Sequence, residues 1–382
     1  MDFSLTDEQE TMRQELIRFC RKELNEGVME RDRSGAFPKD LWLKCGEMGL
    51  QGLPVPEEYG GSGLNPLSTT VALEAFGYGC EDGGLAFSVC AHLLACVIPI
   101  WKYGSEEQKR RYLPKLCSGA SIAVNAISEP KSGSDAFAMA TRAKPDGDGF
   151  RINGVKTFST NGPVADIAVA YAVTDPEKGY YGGITGFIVE AGASGFRPGQ
   201  KFEKMGLRTS PIGEIVFEDV YVPGEAVLGG VGGGSTIFSH SMEWERICLV
   251  AVHIGTMQRL LEQAIQYART RTAYGQAIGK FQAVSHKIAD MKVRLEAARL
   301  LTYKAAWRLG RAKDIAIDAS MAKLFTSESL VQSALDTVQI FGGYGFMTEY
   351  GVERALRDAV GSTIYSGTSE IQRNIIARWL GL

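Results

Sequence analysis

The stretch Phe150-Arg151-Ile152-Asn153-Gly154-Val155-Lys156-Thr157-Phe158 reads FRINGVKTF, and the fold turns on it. Asn-Gly between two β-prone runs is a hairpin signature, because both central residues of a type I′ turn need positive φ. FRI is therefore read as one strand and VKTF as the next. Further out, Ile167–Val173, Ile184–Glu190 and Glu214–Val222 are β-branched or alternating runs parted by Gly- and Pro-rich turns. No helical period lies between them. That argues against a doubly wound Rossmann sheet and predicts an antiparallel β domain.

Both flanks are helical in pattern. Thr6-x-x-Gln9 is a capping box opening a helix with Met12, Leu16 and Phe19 on one face. Pro38 starts a second helix, and others are expected from about Leu67 to Phe76, Leu85 to Tyr103 and Glu106 to Leu116. After the glycine run Gly229–Ser235, apolar residues recur at three- and four-residue spacing from Val250 to Ala268, Phe281 to Ala298 and Ile317 to Val338. That glycine run lacks a Lys-Ser/Thr ending and a following βαβ unit, so it reads as a connection between domains and not as a phosphate loop. The expectation is an α+β multidomain chain. It has an N-terminal helical domain (1–122), a middle antiparallel β domain (123–231) and a C-terminal antiparallel helix bundle (232–382).

Bulk properties narrow the function. At 382 residues the chain exceeds one ordinary core. With 45% hydrophobic and 22% charged residues and a net charge of −3, it has no basic field for nucleic acid or an anionic membrane. Leu85 to Trp101 is apolar but interrupted by Ser88 and His92, and reads as a buried helix, not a membrane span. The acidic N-terminus is unlike a leader peptide, and seven cysteines without a CxxC pair point to reduced thiols and a cytoplasmic protein. Four scattered histidines give no metal-ligand spacing.

Several separated motifs agree with one another. Ala126–Asp135 reads AISEPKSGSD, Lys156–Gly162 reads KTFSTNG, and Arg269–Gln276 with Lys280–Gln282 reads RTRTAYGQ and KFQ. Gln339–Tyr350 (QIFGGYGFMTEY), Leu356–Ala359 (LRDA) and Ile364–Gln372 (IYSGTSEIQ) follow. In this order they resemble the acyl-CoA dehydrogenases, from about Leu5 to the end of the chain. The resemblance implies that fold, a homotetramer, and FAD held between the β domain and the bundle with a neighbouring subunit completing the site. It places Ile127 and Ser128 at the flavin ring, Ser134 near the pyrophosphate or substrate, Phe158 over the flavin and Thr160 at its reactive edge. Arg271 and Gln282 would reach a partner's FAD, Gln339, Gly342 and Gly343 would hold its adenosine side, and Thr368 and Glu370 would follow onto the cofactor. Arg246, Tyr365 and Gly367 fall to the substrate. Among the cofactor residues the physical sense is direct: a guanidinium fork suits a pyrophosphate, and glycines let the backbone approach it.

One position departs from the family. Where a glutamate usually removes the thioester α-proton, this chain has Ser366, and a neutral hydroxyl is no base near pH 7. A minority of the family, including isovaleryl-CoA dehydrogenases, carries its base on the first long helix of the last domain, directly before an arginine. Glu245-Arg246 in MEWERI matches that pattern. The bland reading of Glu245, a solvated helix-start glutamate, fits Glu243 better. The backbone N–H of Ser366 would still meet the developing thioester oxygen, since a main-chain donor does not depend on its side chain. Within the family the resemblance is nearest to carrier-protein-specific prolyl dehydrogenases of natural-product pathways, through Ala86–Ile100, Met242–Leu249 and Ile364–Leu382. It implies α,β-dehydrogenation of a short acyl or aminoacyl thioester on a phosphopantetheine arm, borne by a carrier protein or CoA. The electron acceptor would be an electron-transfer flavoprotein or oxygen. The helix from Phe87 to Ile98 would line the acyl pocket, with Cys90, His92 and Cys96 read as packing residues. Competing readings are a short- or branched-chain acyl-CoA dehydrogenase, a flavin monooxygenase or oxidase of the same fold, and a non-catalytic flavoprotein; a retained Glu245 disfavours the last two.

Overall fold

The chain's apolar pattern resolves into three regions in the computed structural model, which describes residues 4–312 and 314–382. Seven helices come first: α1 (Asp7–Glu23), α2 (Val28–Ser34), α3 (Lys39–Glu47), α4 (Pro66–Gly79), α5 (Gly83–His92), α6 (Ile98–Tyr103) and α7 (Glu106–Cys117). The Thr6/Gln9 capping box is present on α1, both side chains satisfying backbone N–H groups that the helix cannot. The apolar run is a single climb through α5, a π-helical turn at Leu93–Val97 and α6, and Leu85, Val89, Leu93 and Val97 on it are fully buried. Helix α2 escaped the sequence reading, since its seven residues carry four charges and span too little for a period to register.

The middle region is one sheet of β1 (Ala123–Ala126), β2 (Arg142–Asp146), β3 (Gly149–Thr160), β4 (Ile167–Val173), β5 (Ile184–Glu190), β6 (Phe196–Lys201), β7 (Ile212–Pro223) and β8 (Val227–Leu228). Its order is β6-β7-β3-β2-β4-β5-β8, with β1 against β4. The expected antiparallel sheet is in fact mixed. β1 pairs with β4 in parallel, Ala123 beside Ile167 through Ala126 beside Ala170, and β2 touches β4 in parallel at Arg142 and Val173. Alternation along a strand reports which faces are buried and carries no strand direction; residues 127–166 supply the long excursion a parallel return needs.

The expected hairpin at Asn153-Gly154 is also corrected. β3 runs straight through both residues, and the chain reverses instead between β2 and β3, where Gly147 has φ +59°. Gly154 marks a bulge against β7, with φ +155°. A Cβ there would lie 2.2 Å from Thr141 Oγ1, so the glycine serves close approach and not a turn.

The remainder is helical: α8 (Gly234–Trp244), α9 (Val250–Thr270), α10 (Gln282–Arg308), α11 (Ile315–Phe341), α12 (Val352–Gly361) and α13 (Ser369–Trp379). A short β9 (Thr272–Ala273) and β10 (Gln276–Ala277) hairpin lies between α9 and α10. Strand β4 is buried on both sides. Ala168, Ala170 and Ala172 face the core within the sheet, whereas Ile167, Val169, Tyr171 and Val173 join the core shared with α5, α8 and α9. The interface between sheet and helices is where the candidate site lies.

Candidate active site

Glu245 opens a π-helical turn, Glu245–Leu249, between α8 and α9. Such one-turn widenings recur at functional sites because they re-aim side chains without ending the helix. This one packs against the other π turn, Leu93–Val97. Glu245 is 8% exposed, so the solvated-helix reading fails for it, and Glu243 next to it is half-buried. Burial pushes the Glu245 carboxyl above the ordinary range, partly offset by the Ser366 hydroxyl and the charges of Arg246 and Lys323.

The terminal strip closes over it. Ser366 Oγ donates a short hydrogen bond to Glu245 Oε1. Ser366 and Gly367 both sit at positive φ, 57° and 88°, in the turn between α12 and α13. Their carbonyls are held from outside: Arg246 Nε donates to Ser366 O at 3.1 Å, and Gln372 Nε2 donates to Ser366 O at 3.2 Å and to Gly367 O at 2.8 Å. Lys323 Nζ donates to Gly367 O at 2.8 Å. Buried at 1% exposure, Lys323 has its pKa drawn down to about 8, by desolvation first and then by Arg246. Tyr365 shares a hydrogen bond with His253 Nε2 at 3.0 Å and packs its ring on Phe87 at 4.5 Å. Thr368 caps α13, accepting from Ile371 N–H.

A second set joins the two β-domain strips. Thr157 N–H donates to Ser128 O at 2.8 Å, and Lys156 Nζ donates to Ile127 O at 3.1 Å and Glu129 Oε1 at 2.8 Å. Ile127 and Ser128 follow β1, and Phe158 and Thr160 end β3. A third set gathers at the far end of α11. Arg271 lies over the Tyr344 ring at 5.5 Å, beside Gly342 and Gly343, and Gln339 stands in the last helical turn. Lys323 and Gln339 share α11 sixteen residues apart, about 24 Å at 1.5 Å per residue. Ser134, Gln282 and Glu370 are exposed. Cys90 and Cys96 are fully buried, as is His92, which accepts from Ala123 N–H at Nδ1 and so donates from Nε2 to Leu116 O.

Sequence reading missed Lys323 and Gln372. Lys323 stands between Met321 and Leu324 on the apolar stripe of α11, where a lone charge reads as solvated. No local signal separates a buried lysine from an exposed one; its partner is 44 positions away.

The residues present fit a flavin. Phe158 is 65% exposed and sits at φ +51° on a bulge of β3, an apolar ring held out at a backbone position such residues seldom adopt. At Gly342 and Gly343, no atom of the described residues other than their chain neighbours lies within 4 Å of where a Cβ would point, so their backbone is open to a ligand.

Comparison with known proteins agrees. The acyl-CoA dehydrogenase N-terminal, middle and C-terminal domain families match residues 6–120, 125–220 and 232–381. An L-prolyl-[peptidyl-carrier protein] dehydrogenase of Pseudomonas fluorescens is 46% identical over the whole of both chains. The structure of PigA with FAD and proline superposes with a TM-score of 0.98 at 42% identity over both full chains. That of the prolyl acyl carrier protein oxidase AnaB does so with a TM-score of 0.97 at 44% identity, over 99% of this chain and 100% of AnaB. With all three domains matched in order on a mixed-sheet and helix-bundle frame, the chain belongs to the acyl-CoA dehydrogenase family of FAD-dependent oxidoreductases.

Proposed function

We propose that this enzyme dehydrogenates a prolyl-type aminoacyl thioester, carried on the phosphopantetheine arm of a carrier protein, with Glu245 as the base. The observation that supports it most directly is the buried Glu245 carboxylate hydrogen-bonded to the side chain of Ser366, the strip position where the family's usual base is absent. Identity above 40% to prolyl-carrier-protein enzymes along the full chain supports the substrate class.

The chemistry of the chain's own groups follows. Glu245 takes the α-proton, made acidic by the neighbouring thioester carbonyl. Its raised pKa brings it nearer to the pKa of its task than a solvated carboxylate would be. The Ser366 N–H meets the carbonyl oxygen as charge develops there, and the grip of Arg246, Gln372 and Lys323 on the strip carbonyls keeps that backbone fixed. FAD, when bound, supplies the acceptor for the β-hydrogen and its electron pair. Ile127, Ser128, Phe158 and Thr160 would hold its ring, with Ser134, Thr368 and Glu370 further along it. Arg271, Gln282, Gln339, Gly342 and Gly343 would hold the distal half of a partner's FAD. The separation along α11 supports that division between two sites, and a homotetramer belongs to the same reading by family resemblance. The domain limits 1–122, 123–231 and 232–382, a cytoplasmic setting, and an electron-transfer flavoprotein or oxygen as acceptor belong to the same reading.

Anaerobic flavin bleaching tests it. The FAD-loaded enzyme is mixed with prolyl-loaded carrier protein, butyryl-CoA and isovaleryl-CoA. Rapid bleaching by the first is expected; bleaching only by the CoA thioesters assigns the enzyme to short-chain acyl-CoA oxidation instead.

A further inference from the structure

Two buried polar atoms on one face of the sheet lack partners among the described residues: Tyr171 OH and Asn125 Oδ1. Tyr171 is fully buried on β4, in the core shared with α5, the π turns and α8, and its ring packs edge-on against Phe238 at 5.7 Å. Asn125 is on β1, in register with Val169 of β4. Ala123 and Ile127, two residues to either side of Asn125, join the same core as Val169 and Tyr171, so all of these point to one side. Asn125 and Tyr171 are thus diagonal neighbours across the β1–β4 pair, within reach of a common small group. Ile127, just past the end of β1, belongs to the flavin ring in the reading above. Leaving two such atoms unpaired in a folded core costs about 1–3 kcal/mol each, which packing alone does not explain. Tyr171 shares its packed core with Trp244 and Ile247, which flank the Glu245-Arg246 pair in sequence, so the phenol lies on the side of the sheet that faces the base.

We propose that Tyr171 and Asn125 form a polar subsite that hydrogen-bonds the ring nitrogen of an aminoacyl thioester and so separates it from an aliphatic acyl group of similar size. The inference rests on the prolyl-type reading above and adds the residues that would enforce it. The amide oxygen of Asn125 accepts from the ring N–H. The Tyr171 hydroxyl accepts from a second N–H on the protonated amine or donates to the lone pair of the neutral one. A carbocyclic acyl group offers neither, and would leave both atoms unsatisfied.

The test compares kcat/KM for prolyl-loaded carrier protein with that for the same carrier protein bearing a cyclopentanecarbonyl group, in wild type, Tyr171→Phe and Asn125→Leu. Calorimetric affinities for the matching non-oxidisable pantetheine amides give a readout independent of turnover, and flavin absorbance with melting curves verifies folding. The prolyl-to-carbocycle ratio should fall about tenfold or more in each variant, in both rate and affinity. Should Asn125→Leu fold poorly, Tyr171→Phe, which removes one oxygen atom, decides. A ratio that stays put while wild type oxidises the prolyl substrate overturns the subsite alone. A wild type that bleaches with the carbocycle and ignores the prolyl thioester overturns the substrate reading and the subsite together.

Discussion

Glu245 has two oxygens in different settings. Oε1 accepts from Ser366, and Oε2 has no hydrogen-bond partner among the described residues, so it is the oxygen available for a proton. Glu245→Gln keeps the shape and removes the basicity. Flavin bleaching by thioester should slow about 10²- to 10⁴-fold with FAD still bound, measured by stopped flow. Ser366→Ala should remain active, because only the backbone of that residue is assigned a part in the chemistry. It should also shift the pH profile. Burial raises the Glu245 pKa and the serine hydrogen bond lowers it, so removing the hydroxyl moves the pKa further up. Since activity needs the ionised carboxylate, the acidic limb of kcat/KM should move to higher pH. A limb that moves down, or a dead Ser366→Ala beside a working Glu245→Gln, would reverse these assignments.

At the scale of elements, the site depends on how closely α9 lies on α4. Gly77 of α4 faces Val252, where a Cβ would come within 2.1 Å of the carbonyl oxygen; Gly255 of α9 faces Glu74 O at 2.2 Å in the same sense. The two backbones touch, and α9 begins five residues after Glu245. A methyl group at either position must push the helices apart. Gly77→Ala or Gly255→Ala should cost about 1–3 kcal/mol in denaturant melts despite the better helix propensity of alanine. The kcat should drop as well, because displacing α9 displaces the base. Equal stability to wild type would mean the crossing has slack that the geometry denies.

Across the whole molecule, charged side chains fasten the N-terminal helices to the bundle. Buried Glu74 accepts from Arg299 Nε at 3.0 Å and Nη2 at 2.9 Å, and from Tyr303 OH at 2.9 Å. Arg259 Nη1 donates to the carbonyls of Gly77, Tyr78 and Cys80 at 2.6, 2.9 and 3.0 Å, and Arg357 Nη2 meets Asp32 Oδ2 at 2.7 Å. Glu74→Gln removes the buried carboxylate and leaves Arg299 only its more exposed partner Glu296, 3.0 Å from Nη1, and should cost about 1–3 kcal/mol by thermal or denaturant unfolding. Arg271 belongs to this scale for another reason. If a second subunit completes each site, Arg271→Ala should weaken FAD binding by about tenfold or more without lowering the helix content of the chain. Light scattering should give the same assembly mass for the variant as for the wild type, so that weaker binding is not loss of assembly.

Order along the chain and local chemistry were legible without coordinates. The succession of helices, strands and helices, the Thr6 cap, the serine in place of the usual base and the Glu245-Arg246 pair all rest on residues within a few positions of one another. Strand direction was not legible, since a period of two is the same read either way, nor was the use of Gly154, whose need for space comes from Thr141 on a different segment. Lys323, Gln372, Tyr171 and Asn125 likewise gain their roles from partners, or from the lack of them, that only folding brings near. A side chain's type is written locally; its solvation, and with it its proton affinity and hydrogen-bonding state, is decided by what the tertiary structure packs around it.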